Sequence, residues 1–392
     1  MRLGPQGTPR DAPVTVMSEH AADIQYMHQA LELATGGLGF VSPNPLVGCV
    51  LVQDGTVVGQ GYHQYFGGPH AEVYALREAG EQARGAALYV TLEPCCHTGK
   101  TPPCVEAVIQ AGVRRVVVAL RDPNPCVDGG GLARLAAAGI PVTVGVCEAE
   151  AQRLNEAFLH YITTRRPFVT LKSAITLDGK IATHSGASQW ITGTRAREEG
   201  HRLRHANDAI LVGIGTVLQD NPQLTTRLSE RQGVNPLRII VDSTLKVPLD
   251  AQVIDVAADR RTLVATTQTA PLAQQEALRA RGVEVVCLPA ENAGRVDLAA
   301  LLHTLGDRGI ASVLVEGGAT LSAALLRHRL VDKVLFFVAP KIIGGDGLSV
   351  LGACGVTTME QVLRLHRFTG RAIGDDFLLE AYMDYRGEYD QG

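Results

Sequence analysis

Two short segments bring together residues that can do chemistry: His70-Ala71-Glu72 and Pro94-Cys95-Cys96-His97-Thr98-Gly99-Lys100-Thr101-Pro102-Pro103-Cys104. One imidazole and two thiolates form a donor set for a catalytic zinc, which takes three protein ligands and keeps a fourth position for water. The metal lowers that water's pKa toward neutrality and makes hydroxide available. Glu72, just past the histidine, can shuttle protons between the water and a departing amine, as in zinc enzymes that deaminate bases. His70, Cys95 and Cys104 are therefore read as ligands and Glu72 as the acid–base group. Cys96 is left to packing or support, because adjacent residues rarely aim at one ion, and His97 stays open as an alternative ligand. A structural zinc site is the competing reading, but such sites use four ligands at short spacing and need no neighbouring acid. The interval from Cys95 to Cys104 is longer than the Pro-Cys-x-x-Cys of many base deaminases, and its polar, basic loop suits a charged substrate.

The elements that must position these residues follow from periodicity. Ile24, Met27, Leu31 and Ala34 recur at helical spacing and stop at Gly36-Gly37. Strands are expected over 47–52 and 57–62, joined by the hairpin signal Asp54-Gly55. A helix starting near His70, a strand over 87–92, a helix opening at Pro102-Pro103, a strand over 113–120, a helix over 131–138 and a strand over 141–146 come next. One long helix is expected from 148 to about 163. This order implies a mixed sheet covered by helices. Both ligand segments then open helices, whose N-termini favour thiolate and hydroxide.

Arg165-Arg166-Pro167 reads as a joint, after which strand–helix alternation starts again. Strands are expected over 168–171, 209–212, 238–241, 262–265, 283–287, 312–315 and 333–339, with helices around 195–203, 272–281, 298–307 and 321–329. Two glycine-bearing turns follow strands here: Val212-Gly213-Ile214-Gly215-Thr216 and Val315-Glu316-Gly317-Gly318-Ala319-Thr320. The second leads into a helix and can cradle a phosphate, but neither is a full dinucleotide fingerprint, and tight turns explain such glycines as well. Trp190, the single tryptophan, lies in a polar stretch where it can stack on a flat ring or simply pack.

Composition bounds the rest. At 392 residues the chain is long enough for two to three domains. With 46% hydrophobic and 19% charged residues it reads as soluble and globular, and no apolar run reaches membrane-spanning length. A net charge of −4 and 5% aromatics give no basic, aromatic-lined groove, which argues against nucleic acid as partner. Eight cysteines over this length are too sparse for a secreted disulfide scaffold and fit a reducing, cytoplasmic setting. Residues 1–19 read as an extension without a signal core, in which Met17 is a second candidate start.

Taken together, Ser42-Pro43-Asn44-Pro45 with Val47-Gly48, the His70 and Cys95–Cys104 segments, and Asp122-Pro123-Asn124-Pro125 resemble the deaminase half of the bifunctional riboflavin-biosynthesis deaminase–reductase family. Leu171-Lys172-Ser173-Ala174, Leu177-Asp178-Gly179-Lys180, Ser188-Gln189-Trp190-Ile191-Thr192-Gly193, Gly215-Thr216-Val217-Leu218 with Asp220, Leu224-Thr225-Thr226-Arg227 and Val315-Glu316-Gly317-Gly318-Ala319-Thr320-Leu321 resemble its reductase half, in the family's order. The resemblance covers about residues 20–385. It implies a cytidine-deaminase-like three-layer α/β/α domain over 20–165 and a dihydrofolate-reductase-like α/β domain over 166–392.

The resemblance also implies two successive steps on one phosphorylated pyrimidine. Zinc-dependent deamination of 2,5-diamino-6-(5-phosphoribosylamino)pyrimidin-4-one releases ammonia, and NADPH then reduces the ribosyl group to ribityl. Ala174, Trp190, Thr216, Asp220, Ser243 and the turn Gly318, Ala319, Thr320, Leu321, Ser322, Ala323, Ala324 are implied to meet NADPH. Ser188, Arg204, Leu224, Arg227 and Glu316 are implied to meet the reductase substrate, with the two arginines suited to a phosphate. Lys172 and Asp178 are candidates to handle protons, and Asn44, His63 and Lys100 are implied contacts in the deaminase half. A homo-oligomer is implied by the resemblance alone. Val41-Ser42, Asn221 and the stretch 126–131 depart from the family pattern without touching a proposed zinc ligand or Glu72.

Overall fold

A computed structural model describes residues 18–97, 103–125, 127, 129–230, 232–257, 259–291, 294–385 and 387. The expected extension up to residue 17, and Lys100, lie outside the described residues. The first helix starts at once: α1 (Glu19–Ala34) is capped by the Ser18 side chain, which accepts from the Ala21 N–H.

The amino-terminal half continues β1 (Gly48–Gln53), β2 (Thr56–Tyr62), α2 (Ala71–Ala79), β3 (Ala87–Val90), α3 (Cys104–Ala111), β4 (Arg115–Val118), α4 (Gly130–Ala137), β5 (Val142–Val144), α5 (Glu148–Leu154) and α6 (Glu156–Thr164). Its sheet has the order β2-β1-β3-β4-β5, antiparallel through β3 and parallel thereafter. The hairpin turns on Asp54 (φ 50°) and Gly55 (φ 78°), the paired positive angles that match strand twist in a two-residue loop. Buried strand residues feed two cores. Leu51, Leu88 and Val118 face Ala75 and Val108 on one side; Val50, Tyr89 and Val117 face Met27, Ala30 and Phe158 on the other. The result is a three-layer α/β/α unit.

The long helix expected from 148 is two helices, broken at Asn155 (φ −109°, ψ 18°). The physical reason lies across the fold. Asn155 is only 3% exposed, and its amide bridges both backbone groups of Leu46, accepting from the N–H at 2.8 Å and donating to the carbonyl at 2.9 Å. That bridge pins the loop before β1 to the break.

The carboxy-terminal half runs β6 (Phe168–Thr176), β7 (Lys180–Ala182), α7 (Thr194–Ala206), β8 (Ala209–Gly213), α8 (Ile214–Asp220), β9 (Leu237–Val241), β10 (Thr262–Thr267), α9 (Leu272–Arg279), β11 (Glu284–Leu288), α10 (Leu298–Asp307), β12 (Ser312–Val315), α11 (Ala319–Arg327), β13 (Lys333–Ala339), β14 (Leu348–Ser349), β15 (Arg364–Ile373) and β16 (Asp376–Asp384). Nine of these strands form one sheet, β11-β10-β9-β8-β12-β6-β13-β16-β15, parallel from β11 to β13 and closed by an antiparallel hairpin. The parallel strands are buried on both faces, which is why they read as continuous apolar runs. The hairpin β15–β16 and the short helix α8 are additions to the expected elements.

Asn155→Ala leaves two buried backbone groups of Leu46 without partners. A destabilisation of about 2–3 kcal/mol is expected, checked as an earlier urea midpoint for the amino-terminal half.

Candidate active sites

The first site is built from two helix starts and a loop. His70 is the N-cap residue of α2 and Cys104 the first residue of α3, while Cys95 precedes α3 in the loop after β3. His70 Nδ1 lies 3.1 Å from Cys104 Sγ and 3.5 Å from Cys95 Sγ, and the three donor atoms all lie within 4.8 Å of one another. Tetrahedral zinc with ordinary bond lengths needs nitrogen and sulfur about 3.5 Å apart, so the donor set fits the ion. The Cys104 N–H also points at Cys95 Sγ, 3.3 Å away. Hydrogen bonding from the Cys104 thiol, opposed by burial and helped by His70, lowers the Cys95 thiol from its ordinary range and favours its thiolate.

Glu72 is 3% exposed in the first turn of α2. Burial pushes its carboxyl up to about 7, against the opposing pull of His70. A carboxyl near neutrality can both accept and return a proton. The cavity above these groups has a volume of about 390 Å³, and Asn44, His63, His97, Asp122 and Asn124 line it beside His70, Glu72 and Cys95. His63 is tied to Asn44 (Nε2 to Nδ2, 3.1 Å) and to the Pro69 carbonyl (Nδ1, 2.9 Å). His97 is exposed and stands outside the three-donor cluster, and Cys96 packs against the α2–α3 core.

Sequence reasoning missed Glu93. Its buried carboxylate accepts backbone N–H groups from Gly131 (3.0 Å), Gly129 (3.2 Å), Leu132 (3.2 Å) and Asp122 (3.4 Å). An anion at the N-terminus of α4 is favoured by the exposed amides and the helix dipole. The contact is close enough that a Cβ at position 131 would stand 2.0 Å from the Pro94 carbonyl oxygen. The signal was available as a Glu immediately before the Pro-Cys pair, facing Gly129-Gly130-Gly131 across the sequence.

The second site is a cavity of about 1130 Å³ in the carboxy-terminal half. It brings together Ala174, Trp190, Thr216, Asp220, Gly318, Ala319, Thr320 and Leu321 with Ser188, Arg204, Leu224, Arg227, Glu316 and Lys172. Trp190 is 63% exposed and carries the Arg197 guanidinium 4.6 Å from its ring centre. Glu316 takes a two-pronged bond from Arg204, at 2.9 Å and 2.8 Å, with Lys172 at 3.9 Å. Burial alone would raise the Glu316 carboxyl, but these cations overcome it and hold it at about 2.

Several expected contacts fall elsewhere. Ser243 does not line the cavity; its hydroxyl accepts from the Val296 N–H and its carbonyl from the Thr267 hydroxyl. The turn expected over 318–324 is the start of α11, so its first turn faces the cavity while Ser322 and Ala323 are buried and Ala324 packs on the core. Arg204 donates to Glu316 and to the Thr225 carbonyl, whereas the more exposed Arg227 donates from Nη1 to the Gln223 and Thr225 side chains and pairs with no carboxylate among the described residues. Asp178 also lies off the cavity lining. Its carboxylate, held at about 2 by the Thr176 hydroxyl and the Gly344 and Ile343 N–H groups, anchors a turn.

Comparison with known proteins agrees with both halves. Residues 20–120 match the cytidine and deoxycytidylate deaminase zinc-binding region, and residues 167–379 match the RibD C-terminal domain. Riboflavin biosynthesis protein RibD of Aquifex aeolicus is 46% identical over 359 residues, covering 91% of this chain and 97% of that protein. The protein of the same name from Escherichia coli is 43% identical over 362 residues, covering 90% and 96%. Among solved structures, Acinetobacter baumannii RibD superposes with a TM-score of 0.84 at 40% identity, covering 93% of this chain and all (100%) of that one. A diaminohydroxyphosphoribosylaminopyrimidine deaminase/5-amino-6-(5-phosphoribosylamino)uracil reductase from Thermotoga maritima gives 0.81 at 40% identity, covering 94% and 100%. The chain belongs to the RibD family of riboflavin-biosynthesis enzymes, which join a zinc deaminase to a reductase.

Proposed function

We propose that the cavity beside His70 deaminates 2,5-diamino-6-(5-phosphoribosylamino)pyrimidin-4-one and that the larger cavity reduces the product's ribosyl group to ribityl. The observation that carries the reading is the His70–Cys95–Cys104 cluster at the cavity that Glu72 also lines. Zinc bound by these three residues supplies a Lewis acid that makes water a nucleophile at neutral pH. Glu72 takes a proton from the attacking water and delivers it to the 2-amino group, which leaves as ammonia. Asn44 and His63, fixed by their mutual contact, orient the pyrimidine.

In the second cavity NADPH supplies the hydride equivalent. The Gly317-Gly318 turn and the start of α11 present backbone amides to its phosphates, with Trp190, Ala174, Thr216 and Asp220 lining the remainder of the site. Lys172, held beside Glu316, is the group placed to protonate the opened sugar. Ser188, Leu224 and Arg227 hold the substrate. Among the described residues no helix is long and apolar enough to cross a membrane, and the sparse cysteines of the sequence fit a reducing, cytoplasmic setting.

Glu72→Gln should keep zinc and lose ammonia release by about 10²- to 10⁴-fold, the range for a general acid–base group, while reduction of supplied deaminated intermediate continues. Loss of both reactions together would contradict two separable sites. Lys172→Met has the complementary outcome. NADPH oxidation should fall about 100-fold in kcat with ammonia release unchanged, measured on the same preparation.

A further inference from the structure

Helix α6 faces both halves of the molecule. Toward the smaller cavity it presents Phe158, Tyr161 and Ile162, followed just past its end by Arg165. From the other side the carboxy-terminal half clasps it. The Tyr382 hydroxyl donates to Glu156 Oε2 at 2.5 Å, Lys333 Nζ meets Glu156 Oε1 at 2.9 Å and Glu380 Oε1 at 2.9 Å, and the Tyr161 hydroxyl donates to the Gly306 carbonyl at 3.0 Å. Gly306 makes the closest approach: a Cβ there would stand 2.1 Å from the Arg165 carbonyl oxygen. Only a residue without a side chain lets α10 press on the end of α6.

Arg165 is the informative residue at that contact. Its backbone is left-handed (φ 58°), a region where glycine is the default, yet the position holds a long cationic side chain. It is the only lysine or arginine among the described residues lining the cavity. Its guanidinium has no hydrogen bond or ion pair among the described residues. The other ionisable groups on the lining include the histidines His63, His70 and His97, Cys95, and the carboxyls Glu72, Glu93 and Asp122, none of which offers a guanidinium. Among the described lining residues Arg165 is thus the guanidinium that a phosphate entering this cavity meets, alongside any contact from the basic loop that carries Lys100, and guanidinium–phosphate pairs are strong, directional contacts.

We propose that the carboxy-terminal half is a positioning element of the deaminase cavity: its clasp on α6 fixes Arg165, whose guanidinium binds the phosphate of the deaminase substrate. The inference rests on the reading that this cavity deaminates a phosphorylated pyrimidine. It makes the deaminase depend on the reductase half for substrate capture, with the zinc cluster and Glu72 untouched.

The test uses zinc-loaded full-length chain and three variants, Arg165→Ala, Gly306→Ala and Tyr382→Phe, the last two lying off both cavity linings. Arg165→Ala should raise the KM for ammonia release about tenfold, the loss of one hydrogen bond to a charged group, with kcat and zinc content unchanged. Arg165→Lys should recover part of that loss, and the dephosphorylated substrate should not distinguish Arg165→Ala from wild type. Gly306→Ala and Tyr382→Phe should raise the same KM while NADPH-dependent reduction of deaminated intermediate stays at the wild-type rate. If Gly306→Ala loses reduction as well, it has misfolded, and Tyr382→Phe, which removes a single hydroxyl, decides. An unchanged KM in Arg165→Ala, or an equal loss on the dephosphorylated substrate, overturns the phosphate contact. An unchanged KM in Tyr382→Phe overturns the clasp. Absence of ammonia release from the wild type would instead overturn the deaminase reading beneath the proposal.

Discussion

Three donor atoms from separate stretches of chain must stand within 4.8 Å of one another, and much of the amino-terminal half serves that requirement. Two of them, His70 and Cys104, sit on helix starts that fix their direction of approach, and the Cys104 N–H at the start of α3 points at the sulfur of the third, Cys95. The third sits in a loop, which cannot hold a position by itself. Glu93 supplies the restraint by binding the N-terminus of α4, so the loop carrying Cys95 is tied to a helix it precedes by many residues. The same contact places Asp122 at the cavity wall. Burial then pushes the Asp122 carboxyl up to about 6, in a pocket that Glu93 makes more negative. Metal geometry, substrate wall and helix packing share one hydrogen-bonded core.

The two halves meet through charged and hydrogen-bonded groups on α6. Lys333 is shared by Glu156 and Glu380, and Asp332, which Arg166 bonds, lies 3.9 Å from His160 Nε2 on α6. Groups buried at such a joint cost more when one partner is lost than when all are present. Helix α6 lies in this joint and lines the smaller cavity with Phe158, Tyr161 and Ile162.

Much of this was legible in the sequence, for physical reasons. The clustering of His70, Cys95 and Cys104 beside Glu72 was readable because metal chemistry restricts residue types severely, and the central parallel strands because burial on both faces leaves unbroken apolar runs. The Asp54-Gly55 hairpin was readable because two positive φ angles favour few residue pairs. What escaped was decided at a distance. Asn155 breaks a helix whose local sequence favours continuation, because Leu46 needs its amide. β15 is mostly exposed and carries Arg364, Arg367 and Arg371, so no clean alternation announces it. Ser243 is absent from the cavity lining, and its hydroxyl accepts from the Val296 N–H, a partner 53 residues away. The engagement of Arg204 by Glu316 likewise depends on the last turn of α7 meeting the end of β12 in space.

The central claim is that one chain carries two chemically separate sites acting in a fixed order on one molecule. It is tested most directly by following ammonia and NADPH together in a single sample supplied with the diaminopyrimidine substrate, before and after zinc is removed by a chelator. The account predicts that ammonia release precedes NADPH oxidation, that chelation stops both, and that adding the deaminated intermediate restores NADPH oxidation alone. NADPH oxidation that continues on the diaminopyrimidine after zinc removal, with no ammonia released, would contradict it.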